Sequence, residues 1–103
     1  MISLVAENQD AIKQLCIRHN VRRLELFGSA VEDSFEHSAN DIDLLVEFDA
    51  LSPVEHANAF FDFQAELQKI LGLPVDLIER TPIRNPYFLE SIDRKKVVLY
   101  ASA

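Results

Sequence analysis

Residues 26–48 run LFGSAVEDSFEHSANDIDLLVEF. An apolar stretch breaks at Gly28-Ser29, passes into a polar segment and returns as a second apolar stretch headed by two aspartates one residue apart. In that second stretch the even positions Ile42, Leu44, Val46 and Phe48 are all apolar. Side chains alternate across a strand, so this pattern predicts a strand over 41–48 with one buried face. Asp41, Asp43, Leu45 and Glu47 then point the other way. A strand of this kind needs a packed layer against its apolar side.

The flanking sequence supplies the layer. "VRRLELF" (21–27) predicts a strand with Leu24 and Leu26 on one face and Phe27 on the other. Before it, Val5, Ile12, Leu15, Cys16 and His19 follow helical spacing, which predicts one helix over 4–19, with Ser3 as its cap and Asn20 as its stop. After the aspartates, Ser52-Pro53-Val54-Glu55 has the capping-box arrangement, with proline at the first helical position. Phe60, Phe63, Leu67 and Ile70 continue it as an apolar stripe, and Gly72 with Pro74 closes the helix. "PVDLIE" (74–79) predicts a third strand. Asn85-Pro86 is expected to open a short helix ending near Lys95-Lys96, before a last extended segment, "VVLY" (97–100). The fold class is therefore α/β (α+β): a small mixed sheet with helices packed on it, one domain over 1–103.

Composition narrows the function. The 103 residues are 49% hydrophobic, enough to fold one small domain, and show no repeat, low-complexity tract or linker. The apolar runs are far too short to span a membrane, and no signal-peptide pattern opens the chain, so no membrane role is expected. The single cysteine, Cys16, falls within a helical pattern and is expected to be a buried structural thiol, in keeping with a cytoplasmic location. A formal net charge of −7 argues against direct DNA binding through the phosphate backbone. It permits a charged substrate neutralised by metal ions.

The aspartates suggest such a substrate. Residues two apart on a strand share a face with their Cα atoms roughly 6.5–7 Å apart. Two carboxylates so placed repel each other unless a cation lies between them, and Mg²⁺ takes oxygen ligands of this type together with phosphates. Asp76 offers a third carboxylate if its strand is the register neighbour of 41–48. The bland alternative is turn chemistry at Asn40-Asp41. Gly28 permits a tight turn with close backbone approach, and Ser29 offers a hydroxyl and an N–H where a short helix can begin, which suits phosphate oxygens. His19, His37 and His56 have no metal-ligand spacing and are expected at the surface or at helix ends.

Gly28-Ser29, then Asp41-Ile42-Asp43-Leu44-Leu45-Val46, then Val75-Asp76-Leu77-Ile78, resembles the minimal nucleotidyltransferase (MNT) family of the polymerase-β superfamily, over essentially the whole chain. The resemblance implies a catalytic and metal-binding triad of Asp41, Asp43 and Asp76 around two Mg²⁺ ions, with Gly28 and Ser29 gripping the triphosphate of ATP or another NTP. It implies transfer of a nucleoside monophosphate to a hydroxyl. The resemblance further implies a HEPN-domain partner: stand-alone members of this size are typically paired with one, often as antitoxin to a HEPN toxin, and some inactivate the toxin by adenylylating a tyrosine. The lack of sequence for an acceptor pocket agrees with an acceptor on another protein. Two other readings stay open: an antitoxin that neutralises its partner by contact alone, and transfer to a small molecule such as an aminoglycoside, with the pocket completed by a partner or a second copy in a homo-oligomer. The chain also departs from the family. Gly-Ser-Arg-Ala-Arg-Gly is common there, whereas Gly28-Ser29-Ala30-Val31-Glu32-Asp33 stands here, and one extra residue separates Ser29 from Asp41. Arg80, Arg84, Lys95 and Lys96 are the candidates to replace the missing cations.

Overall fold

In a computed structural model, residues 1–31, 41–79 and 96–102 are described, those at 29 and 30 by their backbone alone. Two helices, α1 (Ser3–Glu7) and α2 (Gln9–Arg18), precede strand β1 (Val21–Phe27) and a 3₁₀ turn, Gly28–Val31. Strand β2 (Ile42–Phe48), helix α3 (Pro53–Leu71), β3 (Val75–Glu79) and β4 (Lys96–Ala101) follow. The short helix expected from Asn85 lies outside the described residues, as do His37, Arg80, Arg84 and Lys95. Lys96, expected at that helix's end, opens β4 instead.

The single helix expected over 4–19 is two. The break is at Asn8, whose φ of −108° leaves the helical range and whose side-chain Nδ2 donates to the Leu4 carbonyl at 2.8 Å. Asparagine competes for backbone groups in this way. Ser3 is already inside the first turn; Ile2 holds the cap position and makes no side-chain cap bond. Asn20, at φ 60°, turns the chain from α2 into β1.

The sheet has the order β3-β2-β1-β4, with β1 antiparallel to both its neighbours and β2 parallel to β3. Antiparallel strands can be joined by a short loop, whereas a parallel pair needs a crossover, here α3. That helix begins with the reciprocal cap the sequence predicts: Glu55 N–H donates to Ser52 Oγ at 3.3 Å, and Ser52 N–H to Glu55 Oε1 at 3.4 Å. It ends at Gly72, left-handed at φ 69°.

The described α-helices bury their apolar stripes against one sheet face. Leu24, Leu26, Ile42, Leu44, Val46, Val75 and Leu77 meet Val5, Ile12, Leu15, Cys16, Phe63 and Leu67 in one core. Burial pushes the Cys16 thiol up to about 12, which makes it the structural thiol expected. Among the described residues no helix is long and apolar enough to cross a membrane.

Candidate active site

The opposite sheet face carries the candidate carboxylates. Its side chains form two rows across the strands. One row is Lys96 (β4), Phe27 (β1), Asp43 (β2) and Asp76 (β3), each the register partner of the next. The second is Val98, Glu25, Leu45 and Ile78. Phe27 and Leu45 are buried together with Ile78 beside them, so an apolar floor lies next to the two aspartates.

Asp43 and Asp76 face each other across a parallel pair, with Cα atoms about 4.8 Å apart. Helix α3 sets this register. Gln64 Nε2 donates to the Val75 carbonyl and the Val75 N–H donates to Gln68 Oε1, both at 3.0 Å, and Ile42 N–H donates to the Pro74 carbonyl at 3.0 Å. Asp76 follows directly and is solvent-exposed, as is Asp41 just before β2. Asp43 is half-buried between them. Its carboxyl is held above the usual carboxylate range, first by burial, then by the charge of Asp76, then by that of Asp41.

Gly28 closes the site from the β1 side. Its φ is +73°, and a Cβ placed on it would collide with Asp43 Oδ2 and lie 3.3 Å from Asp43 Cγ. A bare backbone at this turn lets the chain lie flat against the carboxylate. The 3₁₀ turn includes the backbone of Ser29, while the Ser29 hydroxyl is outside the description.

Oxygen-only donors under mutual repulsion fit a hard divalent cation. They do not yet enclose one: among the described residues, no three Asp, Glu, His or Cys side chains converge on a common point.

One charged group on this face escaped the sequence reading. Glu25 is 2% exposed, with Arg23 Nε at 3.1 Å from Oε1 and Lys96 Nζ at 3.0 Å from Oε2. The clue was an acidic residue flanked by Leu24 and Leu26 and in phase with Arg23 and Phe27. His19 and His56 lie at or near helix ends, His19 against Glu66 and His56 against Glu79, and take no part in the site.

The family model described as "Nucleotidyltransferase domain" matches residues 9–99, nearly the whole of this arrangement. The chain belongs to the nucleotidyltransferase domain family. As a nucleotidyltransferase it is 37% identical, over 74% of each chain, to a Methanocaldococcus jannaschii protein assigned as a protein adenylyltransferase. A solved minimal nucleotidyltransferase superposes with a TM-score of 0.70 at 26% identity, covering 90% of both chains. A complex of tri-AMPylated Shewanella oneidensis HEPN toxin with its MNT antitoxin matches in fold, with a TM-score of 0.63 at 20% identity over 94% of this chain and 72% of the other.

Proposed function

We propose that this nucleotidyltransferase, acting as a single domain over 1–103 in the cytoplasm, transfers AMP from ATP to a hydroxyl side chain of a HEPN-domain toxin, most simply a tyrosine, and so serves as its antitoxin. The observation that carries the reading is the register pairing of Asp43 with Asp76 beside the Gly28 turn, on the sheet face that no described helix covers. The M. jannaschii relative's assignment as a protein adenylyltransferase, and the AMPylated HEPN toxin in the Shewanella complex, support the choice of acceptor.

Asp41, Asp43 and Asp76 would hold Mg²⁺. Bound there, it would neutralise phosphate charge and lower the pKa of the attacking hydroxyl. The rest falls to the chain. The Gly28 backbone and the Ser29 N–H receive the phosphate chain at the turn, and the floor of Phe27 and Leu45 keeps water from the buried side of the site. Asp76, exposed at the rim, accepts the proton of the incoming hydroxyl. The hydroxyl oxygen bonds to the α-phosphorus, the α–β bridging bond breaks with its electron pair leaving on pyrophosphate, and AMP remains on the acceptor.

The turn's missing arginines, with Ala30 and Glu32 at their positions, favour a second reading, neutralisation by contact with little transfer. One experiment separates the two. Incubated with ATP, Mg²⁺ and its cognate HEPN protein, the chain should add the mass of AMP to that protein, and Asp41→Ala or Asp43→Ala should abolish the addition. Neutralisation with no mass change, equally complete with Asp43→Ala, would give the second reading its case.

A further inference from the structure

The transfer reading needs cations for the phosphate chain, and residues 28–33 at the turn include no lysine or arginine. On the carboxylate face, the described cations are Lys96 and Arg23, both tied to one buried anion. Lys96 is the one in the right row. Phe27 has Asp43 as its register partner on one side and Lys96 on the other, and the Gly28 turn leaves from the end of Phe27. By register the turn is therefore bracketed, with carboxylates on its β2 side and Lys96 on its β4 side, the Lys96 ammonium meeting Glu25 in the next row. Lys96 stands two strands from Asp43, roughly 10 Å at ordinary strand spacing.

The Lys96 head is also held in place. A lysine side chain is long and loses much rotamer freedom on being fixed. Here the fixing group is Glu25, buried to 2% exposure and engaged at its other oxygen by Arg23. Among the described residues, two cations thus meet on one carboxylate, on the face that also carries Asp43 and Asp76. A buried pair is weak evidence for stability as such, since apolar residues of similar volume often serve equally well. Lys96 itself is 28% exposed, so its charge reaches the solvent side of the sheet.

Resting on the transferase reading, we propose that Lys96, oriented by Glu25, binds the terminal phosphates of the nucleotide and so supplies from β4 the charge that the turn lacks. Glu25 is a positioning residue; Lys96 touches the substrate. The α-phosphate lies at the aspartates and the β- and γ-phosphates run across the turn toward β4. The contact is made to the part that departs as pyrophosphate.

Calorimetry with Mg²⁺ present, using ATP, pyrophosphate and AMP as separate ligands, tests this. Lys96→Met should weaken ATP and pyrophosphate about 10-fold, the usual scale for one charge-assisted hydrogen bond, and leave AMP unchanged. Lys96→Arg should retain most of the affinity, and Glu25→Gln should weaken the same two ligands by a smaller factor. Because Lys96→Met strands a buried carboxylate, the double variant Glu25→Gln/Lys96→Met serves if the single variant does not fold, with the same loss expected. A folded variant that binds ATP and AMP in the wild-type ratio overturns the role of Lys96 and leaves the transferase reading standing. A wild-type protein that binds neither ATP nor pyrophosphate overturns both.

Discussion

Asp43 sits where two demands conflict. Half-burial and the charges of Asp76 and Asp41 raise its carboxyl above the unfolded range, so the folded chain binds this proton more tightly than the unfolded chain does. The stabilising contribution is therefore complete below the unfolded carboxylate range and is lost as pH rises through the elevated folded value. In metal-free protein with EDTA, Asp43→Asn should raise the melting temperature at pH 7 and flatten its fall between acid and neutral pH. The same variant should transfer AMP at least about 100-fold more slowly, since the carboxylate's share of transition-state stabilisation is gone. A variant melting below wild type in EDTA would mean that the carboxylate supports the fold. At Gly28 it is the residue's own backbone freedom that counts. Gly28→Ala must hold φ +73° with a Cβ against the Asp43 carboxylate. We expect a loss of about 1–2 kcal/mol from the left-handed backbone alone, read by urea unfolding, with weaker ATP binding as Asp43 is pushed aside.

At the scale of elements, the unit β2–α3–β3 does the positioning, and its start depends on one hydroxyl. Ser52→Ala removes the acceptor for the Glu55 N–H and should cost about 1 kcal/mol in urea unfolding while leaving the ATP affinity of the folded protein unchanged. A larger drop in affinity than in stability would show that α3 moves β3. This unit was also the most legible part of the sequence, because each of its signals is local: Ser52-Pro53 opens α3, Gly72 closes it, and period-two alternation in 41–48 sets which way Asp43 points. The break at Asn8 was not legible, since the pattern of Val5, Ile12 and Leu15 is indifferent to a single competing amide. The β1–β4 pairing was equally hidden. It depends on a register shift between Leu24 and Glu25, and that shift brings Lys96 level with Phe27. Partners so far apart in the chain leave no periodic trace, so Glu25 passed as an ordinary strand residue.

Taken whole, the molecule is a sheet with one greasy side and one charged side, in a chain of formal net charge −7. Ligands that bind only the folded form stabilise it by mass action. ATP with Mg²⁺ or Mn²⁺ should raise the melting temperature in a concentration-dependent way, whereas ATP with EDTA should not, because the carboxylates repel an uncompensated triphosphate. An equal shift in EDTA would remove the case for a cation at these aspartates.

The parallel pairing of Asp43 with Asp76 has one more consequence, for the order of events as the chain is made. The two carboxylates come from segments more than thirty positions apart, with all of α3 between them, so they meet only when a long-range parallel pairing has closed, a slow kind of contact. The alternation that seats Val75 and Leu77 in the core also aims Asp76 away from it. A slip of one residue would bury the acid and expose the valine and leucine together. On the proposed reading, copies in which this pairing is missing or slipped transfer nothing, so activity reports that β2, α3 and β3 have come together.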